Sequence, residues 1–283
     1  MQRFLKWHAF HWAEYAAELL GTAFNLFVGL SAVVLDFGSH SPVEPLIPDR
    51  GLRLLLTGLV FAGSGSLVAI SPLGKLSGAH INPSVTLAFW VQGKMHRQDL
   101  IGYISAQFVG AILGVTLLAV VWRDRAASIK NGMTLPGSAY SSWMAFGAEV
   151  SITFLLVLLI FIFVSSTRLM RWTPLMTWFV VAIMVWLESP VSGTSLNPAR
   201  SFAPALVTPL WKDQWVYLIA PPLGSLLAVM AFRSWCPVGR EILTGKLFHA
   251  PHYRSIFKNV KAPHRWSDRV NHKVSRSPSN RSP

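Results

Sequence analysis

The chain has 283 residues, 52% hydrophobic and only 13% charged, with 25 Lys and Arg against 12 Asp and Glu for a formal charge of +13. So little charge excludes an ordinary soluble domain of this length, which would need more charged surface. The single cysteine, Cys236, excludes an internal disulfide and a cysteine metal cluster.

The first apolar run, residues 13–35, is too long for a signal-peptide core and lacks a clear small-residue cleavage site, so it predicts a first spanning helix. Runs at 52–70, 100–122, 143–165, 174–187 and 214–233 predict five more, a crossing needing about 20 helical residues. Six crossings place both termini on one side. The short linker 167–173 carries Arg168 and Arg171 and no acid, so that side reads as cytoplasmic, in a plasma or inner membrane. Most of the twelve Trp fall near span ends, as interfacial belts do.

Residues 1–12 then form a cytoplasmic N-terminus, 13–233 a membrane domain and 234–283 a tail. From Arg240 onward the tail holds ten Lys and Arg against Glu241 and Asp268, and Pro and Ser crowd its end. Such a composition reads as disordered, with a basic part near anionic lipid. The charge is placed for a membrane surface, so no nucleic-acid partner is expected; nor is a metal or other cofactor.

The membrane domain is written twice. Tyr103-Ile-Ser-Ala-Gln-Phe-Val-Gly110 aligns with Tyr217-Leu-Ile-Ala-Pro-Pro-Leu-Gly224, and SGAHINPS at 77–84 aligns with SGTSLNPA at 192–199. Glu18 in AAELL likewise matches Glu149 in GAEVS. Each repeat (about 13–122 and 143–233) has three crossings, an odd number, so the second copy is inverted in the membrane. After each Asn-Pro an apolar stretch, 85–91 or 201–206, is too short to cross. Asn is a preferred N-cap and Pro is favoured at the first helical position. Each segment therefore predicts a half-helix, its irregular backbone lining a wet cavity or buried in protein. The two N-termini would meet at mid-membrane and create a positive zone.

SGAHINPSVT and SGTSLNPARSF, with AAELLGT, the second helical Glu and six spans, resemble the aquaporin or major intrinsic protein family over residues 13–233. The resemblance implies an all-α membrane fold of six helices plus two re-entrant half-helices. It also implies a passive pore in each subunit of a homotetramer, with water and small uncharged solutes as its partners within the lipid bilayer. Asn82-Pro83-Ser84 and Asn197-Pro198-Ala199 would be the pore motifs, each Asn offering an amide N–H to a passing oxygen. Glu18 and Glu149 would brace the loops, and His80 would offer a carbonyl or ring to the inner pore or pack structurally. Counting back from each Asn gives a filter of Ala62, Val185, Thr194 and Arg200; a slip of one residue would exchange Ala62 for Phe61. This set is wider and more apolar than a strict water filter and resembles nodulin-like and solute-permeable members. It implies passage of glycerol, urea or metalloid acids as well as water, with ions and protons refused by Arg200 and the half-helix dipoles.

Three rival readings stand beside this one. A strictly water-selective channel is favoured by Ser201 and Ala205 after the second motif. An ion-coupled transporter would need a midplane acid, and only Glu18 and Glu149 could serve. An intramembrane serine hydrolase would need Ser195 and His80 within hydrogen-bond reach.

Overall fold

The structure, a computed structural model, describes residues 10–235 and 241–258. Among the described residues the regular secondary structure is all helical. The elements in chain order are α1 (Trp12–Phe37), α2 (Arg50–Ile70), α3 (Pro72–Ser77), α4 (Pro83–Val91), α5 (Arg97–Trp122), α6 (Asp124–Ser128), α7 (Ser142–Val164), α8 (Thr173–Ser192), α9 (Pro198–Val207) and α10 (Gln214–Trp235). α1, α2, α5, α7, α8 and α10 are long and apolar enough to cross a bilayer, with mean hydropathies from 1.6 to 2.6. Their outward side chains are apolar: Leu20, Phe24, Leu113, Leu117, Ile183 and Met230 are all exposed. A water-facing surface would not carry such a continuous apolar band. Trp12, Trp143, Trp172, Trp211 and Trp215 lie exposed at or beside helix ends, and Trp186 is exposed in the last two turns of α8.

The halves are built alike. α5 packs along α1 and α10 along α7, while α2 and α8 join the halves. Within the α1–α5 and α7–α10 pairs, the helices come close at the two repeat glycines. A Cβ on Gly110 would lie 2.3 Å from the Leu19 carbonyl oxygen, and one on Gly224 2.4 Å from that of Val150. Any larger residue would push each helix pair apart, next to Glu18 and Glu149. The Tyr two turns earlier then reaches the loop: Tyr103 Oη donates to Ser77 O (2.6 Å) and Tyr217 Oη to Ser192 O (2.7 Å). The aligned Tyr…Gly segments are thus the struts that fix each re-entrant loop.

α1 begins and α10 ends on one face, called here the terminal face. α4 dips in from that face and α9 from the opposite, distal one. Both half-helices start at the Asn-Pro steps, with Pro in the first turn. α8 runs to Ser192, past the predicted end at 187, carrying Pro190 inside its last turn and ending at Gly193, whose left-handed φ of 83° suits a glycine cap.

The tail departs from its composition. Residues 241–258 pack against the terminal face, with Ile242, Thr244, Lys246, Leu247 and Phe257 buried. Basic charge predicts disorder only where apolar residues are scarce, and here ILTGKLF carries four large ones, of which Ile242 and Leu247 are buried. Residues 236–240, including Cys236, and 259–283 lie outside the described residues.

Candidate functional site

Each half-helix is capped by its own Asn. Asn82 Oδ1 accepts from Ser84 N (2.8 Å), and Asn197 Oδ1 from Ala199 N (3.0 Å) and Arg200 N (3.3 Å). The amide nitrogens then cross over. Asn82 Nδ2 donates to Leu196 O (2.8 Å) and Asn197 Nδ2 to Ile81 O (2.9 Å). These bonds fasten the tips together near the membrane midplane. A carboxamide has two N–H donors, so each Asn keeps one for a guest, and both side chains border the same cavity.

The loops leading to these tips are strained. Ala79 and Ile81 have φ of 55° and 41°, and their counterparts Thr194 and Leu196 have 50° and 59°. Left-handed backbone costs an L-residue about 1–2 kcal/mol, and a β-branched one such as Ile81 is a marked outlier. The helical acids hold this conformation. Glu18 accepts from Ser77 Oγ (2.7 Å), His80 N (3.0 Å), Ile81 N (2.6 Å) and Gln107 Nε2 (2.8 Å). Glu149 accepts from Ser192 Oγ (2.6 Å), Ser195 N (2.6 Å) and Leu196 N (2.9 Å). Both carboxylates are fully buried, so neither is free to carry a coupling ion.

Two cavities meet at Arg200. The distal one, about 270 Å³, is bordered by Phe61, Val185, Ser189, Thr194 and Arg200. The inner one, about 120 Å³, runs from Phe61 and Arg200 past Asn82 and Asn197 to His80 and Leu247. Arg200 is held by a bond from Nη1 to Gly132 O (2.7 Å), and its guanidinium lies 5.6 Å from the Phe61 ring centre. The second-span residue level with Arg200 is therefore Phe61, not Ala62, which borders only the inner cavity. The count back from Asn82 crosses the break at Ser71 and the short helix α3, and helical register is not kept across such a break.

Two residues behave in ways the sequence did not indicate. Thr194 Oγ1 donates to Glu188 Oε2 (2.5 Å), while Ser189 Oγ lies 3.0 Å from the same hydroxyl. Thr194 therefore faces the constriction as an acceptor. The available signal was an acid in the apolar run MVWLESP, six residues before Thr194. Leu247, from the tail, enters the inner cavity; nothing local marks it.

His80 is stacked on Phe89 (4.8 Å, 10°), and its Nε2 lies 2.8 Å from Gly245 O. A carbonyl only accepts, so Nε2 carries the proton. Ser195 Oγ bonds instead to Ser201 Oγ and Asn197 O. His80 and Ser195 thus serve different loops and form no nucleophile–base pair. Ser84 is fully buried, with its hydroxyl unpaired and outside the cavity lining. Ser84→Ala is expected to leave water flux within about twofold and stability within about 1 kcal/mol, because no hydrogen bond is lost. Stopped-flow light scattering on vesicles checks this, and a fivefold loss would make Ser84 a pore residue.

The sequence profile of the family described as "Major intrinsic protein" matches residues 5–232. Aquaporin NIP1-1 of Arabidopsis thaliana is 32% identical over 222 residues, covering 77% of this chain and 72% of that protein. Aquaporin AqpM of Methanothermobacter marburgensis is 33% identical over 233 residues, covering 77% and 94%. Among solved structures, the aquaglyceroporin from Plasmodium falciparum superposes with a TM-score of 0.65 at 24% identity, over 80% of this chain and 97% of that one. With the inverted repeat and the paired Asn-capped half-helices already established, the chain belongs to the major intrinsic protein family of membrane channels.

Proposed function

We propose that each chain forms a passive pore for water and small uncharged solutes, such as glycerol, urea or undissociated metalloid acids, and refuses ions and protons. The observation that carries this reading is the Asn82–Asn197 pair: two spare N–H donors at the tips of two opposed half-helices, bordering one cavity. A neutral oxygen can trade a hydrogen bond with water for one with each Asn. A cation meets two partial positive charges of about half a unit each and the Arg200 guanidinium.

Phe61, Val185, Thr194 and Arg200 are proposed as the selectivity filter. Phe61 sets the width and Val185 offers no hydrogen bond. Arg200 donates and Thr194, its proton held by Glu188, accepts. A wall that is half apolar and half polar suits a small solute with a hydroxyl or amide edge and a carbon edge. The terminal face, which carries the basic 167–173 linker, is proposed as cytoplasmic in a plasma or inner membrane, and the assembly as a homotetramer.

Vesicle swelling across water, glycerol, urea and boric acid tests the reading. Water flux at least tenfold above protein-free vesicles is expected, with measurable glycerol and urea flux. Water flux alone would leave the strictly water-selective channel; no excess flux for any solute would end the pore reading.

A further inference from the structure

The segment 241–258 is laid across the terminal face like a strap. Leu243 N donates to Val164 O at the end of α7 (3.0 Å), and Lys258 N donates to Lys94 O in the turn before α5 (3.0 Å). Between these ends Arg254 makes a paired bond to Glu14 of α1, at 2.8 and 3.0 Å. Phe257 is buried between His80 and Tyr103, with ring centres 5.4 and 6.2 Å apart. A Cβ on Gly245 would lie 2.5 Å from the Phe257 ring, so this turn needs glycine.

The middle of the strap reaches the pore. Leu247 N donates to Gly78 O (3.0 Å), and the Leu247 side chain borders the same cavity as Asn82, packed with the core that holds Ile81, Val85 and Ile160. Two groups that a water column could use, Gly78 O and His80 Nε2, are instead spent on Leu247 N and Gly245 O. Lys246 is 1% exposed, and its ammonium is satisfied by the carbonyls of Lys75 and Arg254. An apolar side chain at the mouth denies a permeating water its hydrogen bonds without replacing them.

We propose that residues 241–258 are a tethered plug: the terminal-face vestibule is a binding site for this peptide, and its docking narrows the pore at Leu247, so that flux is throttled rather than abolished. The inference rests on the pore reading above. It accounts for a buried lysine, a glycine fitted to a ring and an ion pair on α1, none of which a pore requires.

Burial lowers the Lys246 ammonium to about 8 from an ordinary value of 10.5. The charged or titratable groups around it are Glu14 from α1, Lys75 from α3, and Arg254 and His249 from the strap, the His249 ring also being lowered by burial. When docked, Lys246 loses its proton at lower pH than when released. Docking therefore strengthens as pH rises between about 8 and 10.5, and flux should fall over that range.

The test uses full-length protein in vesicles, read by stopped-flow water flux and by the rate of trypsin cleavage after Lys246. Arg254→Ala and Phe257→Ala should each expose Lys246 to trypsin and raise water flux about fivefold or more. Leu247→Ala should raise flux while Lys246 stays protected, since the strap's anchors remain. In the unaltered protein flux should fall between pH 7 and 9.5, and in Lys246→Met it should stay flat. Rapid cleavage after Lys246 in the unaltered protein would overturn the docking. Flux unchanged within twofold in variants whose Lys246 is cleaved would overturn the plug, as would a flat or rising pH profile in the unaltered protein. If no variant and no pH exceeds protein-free vesicles, the pore reading fails and this inference with it.

Discussion

Glu149→Gln is expected to cost about 2–4 kcal/mol of stability and reduce water flux at least tenfold. The carboxylate of Glu149 accepts three hydrogen bonds with two oxygens. A carboxamide has one oxygen, so it satisfies either the Ser192–Ser195 pair or Leu196 and turns an N–H donor towards the other. An unsatisfied buried donor costs about 1–3 kcal/mol. The loss falls on backbone that is already strained, since Thr194 and Leu196 on either side of Ser195 both have positive φ. Released from Glu149, these residues relax towards ordinary conformations, carrying the Thr194 hydroxyl out of the constriction and the Leu196 carbonyl away from Asn82. Glu18→Gln should act the same way from the other side, through His80 and Ile81. Melting in detergent and vesicle water flux are the measurements. A Glu149→Gln protein conducting water within twofold of the parent would show that the loop is held by other means.

Arg200→Val should keep water flux while raising proton leak tenfold to a hundredfold and glycerol flux severalfold. A unit charge about 4 Å from a permeating cation costs it about 4 kcal/mol at an effective dielectric of 20, three decades in rate at most. The half-helix termini remain in the variant and keep part of the barrier, hence the smaller expected rise. Width changes as well, because the guanidinium that faces Phe61 is gone. Arg200→Lys separates the two effects: it keeps the charge but loses the planar fork that reaches Gly132 O. Proton refusal should survive in that variant while solute selectivity loosens. Vesicles carrying a pH-sensitive dye report the leak. An Arg200→Val protein as proton-tight as the parent would assign the whole barrier to the half-helices.

Some of these features were legible in the chain itself. The spans were, because a bilayer enforces about 20 apolar residues per crossing whatever the neighbours are. The inversion followed from counting three crossings per repeat, and the half-helices from Asn-Pro, whose capping and φ preferences are local. Glu18 and Glu149 stood out as acids deep in apolar runs, since burying a carboxylate without donors is prohibitive. The sequence also named Tyr103, Gly110, Tyr217 and Gly224 as matched positions, without saying that they prop the loops.

What only the tertiary structure decided depends on residues distant in the chain coming within a few ångströms. Phe61 rather than Ala62 meets Arg200 because register is lost across α3. Asn82 and Asn197 each spend a donor on the opposite loop, 114 and 116 residues away. Glu188 reads as the end of a span until its carboxylate is seen on the Thr194 hydroxyl. The tail is the clearest case. Its charge predicts a segment left in solvent, yet Leu247 and Phe257 find an apolar mouth on the terminal face, and Lys246 finds two carbonyls. Composition states what a segment would do alone in water; burial depends on whether the rest of the fold offers a surface that fits it.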